Sequence, residues 1–109
     1  MAKADDVTFG MAVEDDGEGP PVLRLRGELD LGNAETAASA IGDLLAANRG
    51  VVVDLGELTF VDSTGLGAFI RGRNIANRSQ QHITLRSPPR SVLKVLQITG
   101  LDQVFTIEP

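Results

Sequence analysis

The chain has 109 residues, of which 42% are hydrophobic, and it contains no cysteine. This length suits one domain with a single modest core, and we interpret residues 1–109 as that domain. Without cysteine, the chain lacks a disulfide framework, a thiolate metal site and a thiol nucleophile. The net charge of −5 at pH 7 would repel a phosphate backbone, which argues against nucleic acid as a partner.

Membrane and secreted proteins are disfavoured by the hydropathy of the chain. No apolar run approaches the ~20 residues that cross a bilayer, and the N-terminus lacks the apolar core of a signal peptide. We therefore expect a cytoplasmic protein without membrane insertion. Acidic residues are concentrated before position 20, at Asp5, Asp6, Glu14, Asp15, Asp16 and Glu18. This acidic run is either a solvated turn or an electrostatic docking site.

The first part of the chain predicts an antiparallel hairpin. Residues 7–13 alternate in polarity, which is typical of a half-buried strand. The side chains on its apolar face are Val7, Phe9, Met11 and Val13. Glycines and prolines in Glu14–Pro21 predict a connection, after which Val22–Gly27 returns as the second strand.

A helix and a central strand come next. Asn33 is the predicted N-cap of a helix that runs to about Asn48. Its apolar residues recur at helical spacing, at Ala34, Ala37, Ala38, Ile41, Leu44 and Leu45. Val51–Leu55 shows no polar alternation, which predicts a central strand covered on both faces. Its position after a helix favours a parallel crossover.

A second helix is predicted from about Ser63 to Ser79. On a helical wheel one line faces the sheet, formed by Gly65, Phe69, Gly72 and Ala76. Leu66 and Ile70 lie off one flank of this line, and Ile75 lies off the other. The apolar arc is wider than an ordinary stripe, so one flank is covered either by a partner or by a neighbouring helix.

The last third predicts a strand, a helix and a short final strand. The strands are His82–Arg86 and Val104–Ile107, and Ser87 is the predicted cap of the helix between them. The buried stripe of that helix is predicted to be Val92, Leu93, Val95, Leu96 and Ile98, with Gly100 as its stop. The order β-β-α-β-α-β-α-β predicts an α/β fold. Its sheet is mostly parallel, with four or five strands and an antiparallel N-terminal hairpin.

No constellation of residues predicts catalysis. His82 is the only histidine, and we place it at the opposite end of the fold from Ser63, so it cannot serve as the base of a serine nucleophile. Gly65-Leu66-Gly67 begins like a dinucleotide fingerprint, but Ile70 replaces its third glycine. The carboxylates form no metal-binding pattern; they are Asp30, Asp54, Glu57 and Asp62. We therefore expect no enzymatic activity, no cofactor and no metal.

Ser63 is the residue of greatest interest, because it stands at the predicted start of the second helix. A helix N-terminus favours negative charge, so a phosphoryl group on this hydroxyl would be tolerated. The residue chemistry leaves two interpretations open. Ser63 is either a plain N-cap that stabilises the helix by ~1 kcal/mol or a phosphorylation site.

Three stretches together resemble the STAS domain, and above all the free-standing anti-sigma factor antagonists of bacteria. The first is Gly27-Glu28-Leu29-Asp30, which is similar to the family's G-E-L-D turn. The second is Val51–Gly67, which contains Asp62-Ser63-Thr64-Gly65-Leu66-Gly67 and resembles the D-S-x-G-L-G switch. The third is Leu96–Asp102 with the following Val104-Phe105, which is similar to the C-terminal helix and end strand.

This resemblance implies a regulatory binding protein. Such antagonists bind an anti-sigma factor that is also a serine kinase, and a serine phosphatase reverses the phosphorylation that ends binding. The resemblance implies Ser63 as the phosphorylated residue. It further implies a partner-binding surface made of Asp30, Asp62, Ser63, Thr64, Gly65, Leu66 and Gly67. The alternatives are a STAS subunit of another assembly, such as a lipid-transport ATPase complex or a stress-signalling scaffold, and a small enzyme or nucleotide-binding module.

Overall fold

The computed structural model describes residues 8–47 and 49–109, which form a five-stranded sheet and three α-helices. In chain order the elements are β1 (Gly10–Glu14), β2 (Val22–Leu29), α1 (Ala34–Leu45), β3 (Val51–Val61), α2 (Ser63–Arg78), β4 (Ile83–Arg86), α3 (Arg90–Thr99), a 3₁₀ turn (Leu101–Gln103) and β5 (Thr106–Glu108). The predicted order of strands and helices is confirmed. Val7 and Asn48, which were predicted to belong to the first strand and the first helix, lie outside the described residues.

The strands follow one another across the sheet in the order β1-β2-β3-β4-β5. β1 and β2 are antiparallel, and every other neighbouring pair is parallel. The predicted α/β fold with an antiparallel N-terminal hairpin is therefore confirmed. β3 lies in the middle and extends well beyond β4, so its last residues pair with β2 alone among the described strands.

Helices cover one face of the sheet. The strand side chains buried on that face are Leu23, Leu25, Val51, Val53, Leu55, Ile83 and Leu85, and they form a single core with residues from all three helices. The opposite face carries charged side chains: Arg24 lies 3.1 Å from Glu14 and 3.7 Å from Asp54. The predicted burial of both faces of the central strand is confirmed at Val51–Val53, all of which are buried. Val52 faces the charged side of the sheet and is only 6% exposed. The start of β3 is therefore apolar on both faces, although the helices cover one of them.

The helix layer also stops short of β1. Met11 and Val13 lie opposite Leu25 and Leu23 of β2, so they point to the helix side of the sheet. They are nevertheless 38% and 53% exposed, because α1 packs over β2 and β3 and the described residues provide no helix over β1. The predicted burial of this apolar face is wrong for both residues.

Two details of α3 differ from the prediction. Ser87 is not its cap: it has a positive φ of 57°, its N–H donates to the carbonyl of Glu108 at 2.8 Å, and Pro89 holds the N-cap position. Ile98 is 75% exposed, because the side of the helix that meets the core is formed by Val92 and Leu96, one turn apart, with Val95 packed beside them. Gly100 ends the helix with a left-handed φ of 78°, as predicted.

The acidic segment between β1 and β2 is an ordered turn. The Arg49 guanidinium lies 2.7 Å from the Asp15 carboxylate and lowers the pKa of that group. The other carboxylate contacts are local, because Asp15 accepts from the N–H of Gly17 and Asp16 from that of Glu18. These contacts agree with the interpretation as a solvated turn; the docking interpretation stays untested.

Candidate functional site

The candidate site lies where β2 and β3 end side by side. Leu29 pairs with Val61 in the parallel register, and the N–H of Asp62 donates to the carbonyl of Leu29 at 3.2 Å. The turn that follows β2 and the start of α2 are thereby brought together. The carboxyl ends of parallel strands are the usual place for binding sites in α/β folds.

Asp62 is the N-cap of α2. Its Oδ1 accepts hydrogen bonds from the N–H of Thr64 at 2.9 Å, from the N–H of Gly65 at 3.0 Å and from the Thr64 hydroxyl at 2.5 Å. The Thr64 hydroxyl and then the Gly65 N–H contribute most to lowering the pKa of Asp62, and the N–H of Leu31 lowers it further. Since a side-chain oxygen at the cap satisfies the free N–H groups of the first turn, the interpretation of Ser63 as a plain N-cap is wrong.

Ser63 is the first residue of α2 and is exposed. Within the described residues its hydroxyl makes no hydrogen bond, since the capping groups of Asp62 and Thr64 bond to one another instead. The positive end of the helix dipole lies at this residue. The side chain is thus accessible, chemically free and placed where added negative charge is tolerated.

The turn after β2 is held by Asn33. Its Oδ1 accepts from the N–H of Asp30 at 2.9 Å, and its Nδ2 donates to the carbonyl of Glu28 at 2.9 Å. Asn33 does hold the predicted N-cap position of α1, but its side chain bonds backward into the turn and makes no cap bond. Asp30 in turn accepts from the N–H of Gly32 at 3.0 Å. The turn is therefore a rigid neighbour of the α2 N-terminus.

Leu31 lies at the tip of this turn with 80% of its surface exposed. It follows Leu29 by two residues, and the Leu29 carbonyl accepts from the N–H of the Asp62 cap, so the turn that carries Leu31 lies beside the start of α2. The sequence analysis missed this residue. An apolar side chain immediately after Asp30, in a turn that has no core position to offer, was the signal that could have found it.

The protein-family model described as "Mlab, STAS domain" matches residues 12–108. The chain belongs to the STAS domain family. The match includes all five strands except the first two residues of β1, and it includes the whole candidate site.

Known proteins agree with this membership. An anti-sigma-B factor antagonist of Listeria monocytogenes is 29% identical over 84 residues, which cover 75% of this chain and 73% of the relative. A STAS-domain containing protein of Pseudomonas aeruginosa is 29% identical over 85 residues, covering 78% of this chain and 84% of the relative. The crystal structure of an anti-sigma factor antagonist from Mycobacterium paratuberculosis superposes with a TM-score of 0.83 at 26% identity, covering 99% of this chain and 91% of that one.

The remaining residues of the predicted partner surface are not equally accessible in this STAS domain. Gly65 is buried, and a Cβ placed on it would lie 2.7 Å from Val61 Cγ2. Leu66 is 6% exposed and belongs to the core. Gly67 instead faces open space, because apart from its own stretch of helix no heavy atom lies within 4 Å of such a Cβ. The accessible part of the predicted surface therefore centres on Ser63 and Gly67.

The flank of α2 is mostly covered by its neighbours. Ile75 lies against α1, at 3.8 Å from the position that a Cβ on Gly42 would occupy. Ile70 remains 38% exposed; it lies two turns after Ser63 on the same side of the helix. Ser63, Gly67 and Ile70 thus form an exposed ridge that continues from the candidate site.

Other chemistry is not assembled at this site. His82 precedes β4 beside the first residue of β3, whereas Ser63 follows the last, so the eleven residues of β3 separate them as predicted. Among residues 8–47 and 49–109 no group of three histidine or acidic side chains is arranged to hold a metal ion. Over the same ranges, no helix has both the length and the apolar composition to cross a bilayer.

Proposed function

We propose that this STAS domain is an anti-sigma factor antagonist that acts by binding rather than by catalysis. Its partner is a cytoplasmic anti-sigma factor with serine-kinase activity, and binding of the antagonist releases a sigma factor. Phosphorylation of Ser63 by that kinase ends the interaction, and a serine phosphatase restores it. The binding surface is Asp30 with the adjacent Leu31, and the first turn of α2 from Asp62 to Gly67.

The main support for this proposal is that two adjacent residues, Asp62 and Ser63, have different roles at the start of α2. Asp62 performs the capping of α2, so Ser63 has no structural task in the described part of the chain and its hydroxyl stays exposed. A kinase can modify such a hydroxyl without first breaking a hydrogen bond of the fold. The structure of the domain is therefore expected to persist after modification.

The charges around Ser63 explain how a phosphate could end binding. Phosphorylation adds about −1.5 to −2 charges and three acceptor oxygens. Two of the N–H groups that a phosphate would otherwise bind at this helix start already donate to Asp62, and the Asp62 carboxylate repels it. The phosphate would thus project towards the partner. An uncompensated charge buried at an interface costs ~2–5 kcal/mol, which corresponds to roughly 30-fold to several-thousand-fold in affinity.

Relatives support this assignment. The Listeria protein is named an anti-sigma-B factor antagonist, and the Mycobacterium structure carries the same general name. The Bacillus antagonist SpoIIAA, which is 22% identical and superposes with a TM-score of 0.71, has been solved in its phosphorylated form. That likeness extends to the fold, and the role of Ser63 in the present chain rests on the geometry described above.

The test is to capture partners from the source organism with three forms of the chain: wild type, Ser63→Ala and Ser63→Asp. We expect wild type and Ser63→Ala to retain an anti-sigma factor that Ser63→Asp loses. The captured protein, incubated with ATP, should phosphorylate wild type at Ser63, as located by mass spectrometry. It should leave Ser63→Ala unmodified.

A matched control separates charge at this site from charge in general. Ser91 is exposed in the first turn of α3, so Ser91→Asp adds the same charge to the first turn of another helix. This variant should bind like wild type. Equal capture by all the variants would overturn the phosphorylation switch.

A second candidate is a STAS subunit of another assembly. The observation that favours it is the description of the matching family model, which names "Mlab" and does not name an antagonist. In that case the same capture would retain a multi-subunit complex without a protein kinase. The substitution at Ser63 would then leave its composition unchanged.

A further inference from the structure

β1 forms one outer edge of the sheet, and nothing in residues 8–47 and 49–109 adds a further strand to it. β1 is the terminal strand of the sheet, and within the described residues it pairs with β2 alone. Met11 and Val13 are 38% and 53% exposed on its helix side. A terminal strand presents free backbone N–H and C=O groups along its edge, and exposed apolar residues there favour pairing with another chain.

The opposite edge of the sheet is protected in the ways that usually prevent such pairing. β5 has only three residues, Thr106–Glu108, and Pro109 follows directly. Short length and a proline both discourage strand addition. β1 has five residues and contains neither proline nor lysine. The two edges of the sheet therefore differ in their capacity to add a strand.

We propose that β1 pairs antiparallel with β1 of a second copy of the chain, about a two-fold axis at Ala12. This register pairs all five residues of the strand, since position 10 then meets position 14 and position 11 meets position 13. Met11 of each copy would lie opposite Val13 of the other, on the same face. The contact is isologous, so it closes as a dimer and does not continue into a fibre.

Charge complementarity on the opposite face of β1 supports a second copy of the chain as the partner that pairs with this strand. The Arg26 side chain reaches across Gly10: a Cβ on that glycine would lie 2.6 Å from Arg26 Nη2. Arg26 has no ion-pair partner within the described residues. In the proposed register, Gly10 of one copy lies opposite Glu14 of the other. Each Arg26 would therefore meet the Glu14 carboxylate of the second copy, giving two symmetric ion pairs.

Glu14 is able to make this contact. It is an exposed residue that now lies 3.1 Å from Arg24 with a side-chain exposure of 59%, so it can turn outward towards the new cation. Residues 10–14 of each copy supply a small interface. Such interfaces give weak and concentration-dependent association.

Sedimentation equilibrium of the full chain from micromolar to millimolar concentration tests the proposal. We expect a monomer–dimer equilibrium that Val13→Lys weakens by at least about tenfold, because a lysine on an edge strand opposes strand pairing. Ile98→Lys is the matched control, since Ile98 is 75% exposed on α3, and it should dimerise like wild type. Thermal melting checks that each variant is folded.

A charge-exchange experiment tests the register. Arg26→Glu alone places two like charges together at each contact, and so does Glu14→Arg alone, so each variant should dimerise at least about tenfold more weakly than wild type. In an equimolar mixture, both contacts of the heterodimer pair opposite charges again. The mixture should therefore associate more tightly than either variant by itself.

Three outcomes would overturn the proposal. The first is a wild-type chain that remains monomeric up to millimolar concentration. The second is a dimer that Val13→Lys leaves unchanged, which would place the contact on another surface. The third is a mixture of the two charge variants that associates no better than its components, which would reject the register.

Discussion

The hydroxyl of Thr64 donates to the carboxylate of Asp62 at 2.5 Å, across the residue that separates them in sequence. The side chains of the two residues that flank Ser63 are thus hydrogen-bonded to each other. The helix start is complete without the serine. Asp62 is therefore needed to cap α2, whereas the exposed hydroxyl of Ser63 is available for modification.

The first prediction compares the stability of Asp62→Ala with that of Ser63→Ala. Asp62→Ala removes the acceptor of two backbone N–H groups and of the Thr64 hydroxyl, so we expect a clear fall in the urea midpoint, of the kind seen when an N-cap is lost. Ser63→Ala removes an exposed hydroxyl without a partner and should change the free energy of unfolding by less than about 0.5 kcal/mol. Urea denaturation followed by circular dichroism measures both. Equal losses in the two variants would show that Ser63 also caps the helix.

The second prediction concerns acid pH. Hydrogen bonds to the carboxylate lower the folded-state pKa of Asp62 below its ordinary value of 3.8, so this group binds its proton more readily in the unfolded chain. Its contribution to stability is therefore complete above about pH 4 and is lost as the pH falls through the folded-state pKa. Wild type should be more stable than Asp62→Asn at pH 6, and the difference should shrink steadily below pH 4.

The control for this pH dependence is Asp15→Asn. Asp15 also has a lowered pKa, but chiefly through Arg49 and at the other end of the domain. The contribution of Asp15 to the free energy of unfolding should be lost over the same acid pH range. The contribution of Asp62 should still be measurable when Asp62→Asn is introduced into the Asp15→Asn variant. A difference between wild type and Asp62→Asn that persists unchanged to pH 2 would contradict the assignment.

Side-chain spacing was sufficient to predict the order of the elements and the buried line of α2. Gly65, Phe69, Gly72 and Ala76 were predicted on one line and all are buried, because helical periodicity reports directly which face meets the core. The predicted turn at Gly27–Asp30 begins only at Asp30, because β2 extends to Leu29, but the helix start at Ser63 was placed correctly in the chain. These features depend on local sequence.

Features that depend on distant contacts were not predictable. Asp62 and Ser63 are both good N-cap residues, and the choice follows from where β3 ends, which its pairing with Leu29 decides. The exposure of Met11 depends on the width of the helix layer, which no local pattern encodes. The position of Leu31 near the start of α2 depends on the bond between the Asp62 N–H and the Leu29 carbonyl, which joins residues far apart in the sequence.

The third prediction uses the two glycines of the α2 start as a matched pair. A Cβ on Gly65 would lie 2.7 Å from Val61 and 3.0 Å from the carbonyl oxygen of Leu29, so Gly65→Ala should destabilise the fold by ~1–3 kcal/mol. Gly67 faces open space, so Gly67→Ala should stabilise the helix by ~0.5–1 kcal/mol. Denaturant unfolding of the two variants should therefore give opposite signs.

The same pair separates stability from binding. If Gly67 lies in the partner interface as proposed, Gly67→Ala should weaken capture of the anti-sigma factor while raising the urea midpoint. A Gly67→Ala chain that is more stable and binds as well as wild type would remove Gly67 from the interface.

The last prediction assigns Leu31 as an apolar anchor of the partner. The side chain is 80% exposed in the turn beside the start of α2, and truncating it removes almost no contact within the domain. Leu31→Ala should therefore change the free energy of unfolding by less than about 0.5 kcal/mol. The affinity of the Leu31→Ala variant for the captured anti-sigma factor should fall by about tenfold or more, because residues that fill a partner's pocket contribute a large share of the binding energy.

Ile98→Ala provides the comparison for Leu31→Ala, since Ile98 is 75% exposed on α3 and lies outside the proposed surface. Titration calorimetry with the purified partner should give wild-type affinity for Ile98→Ala and reduced affinity for Leu31→Ala. Equal effects would mean that exposed apolar area in general, rather than the turn beside Asp62, determines binding. A loss confined to Leu31 would place the turn after β2 in the same interface as Ser63, so that phosphorylation acts directly on the contact that Leu31 anchors.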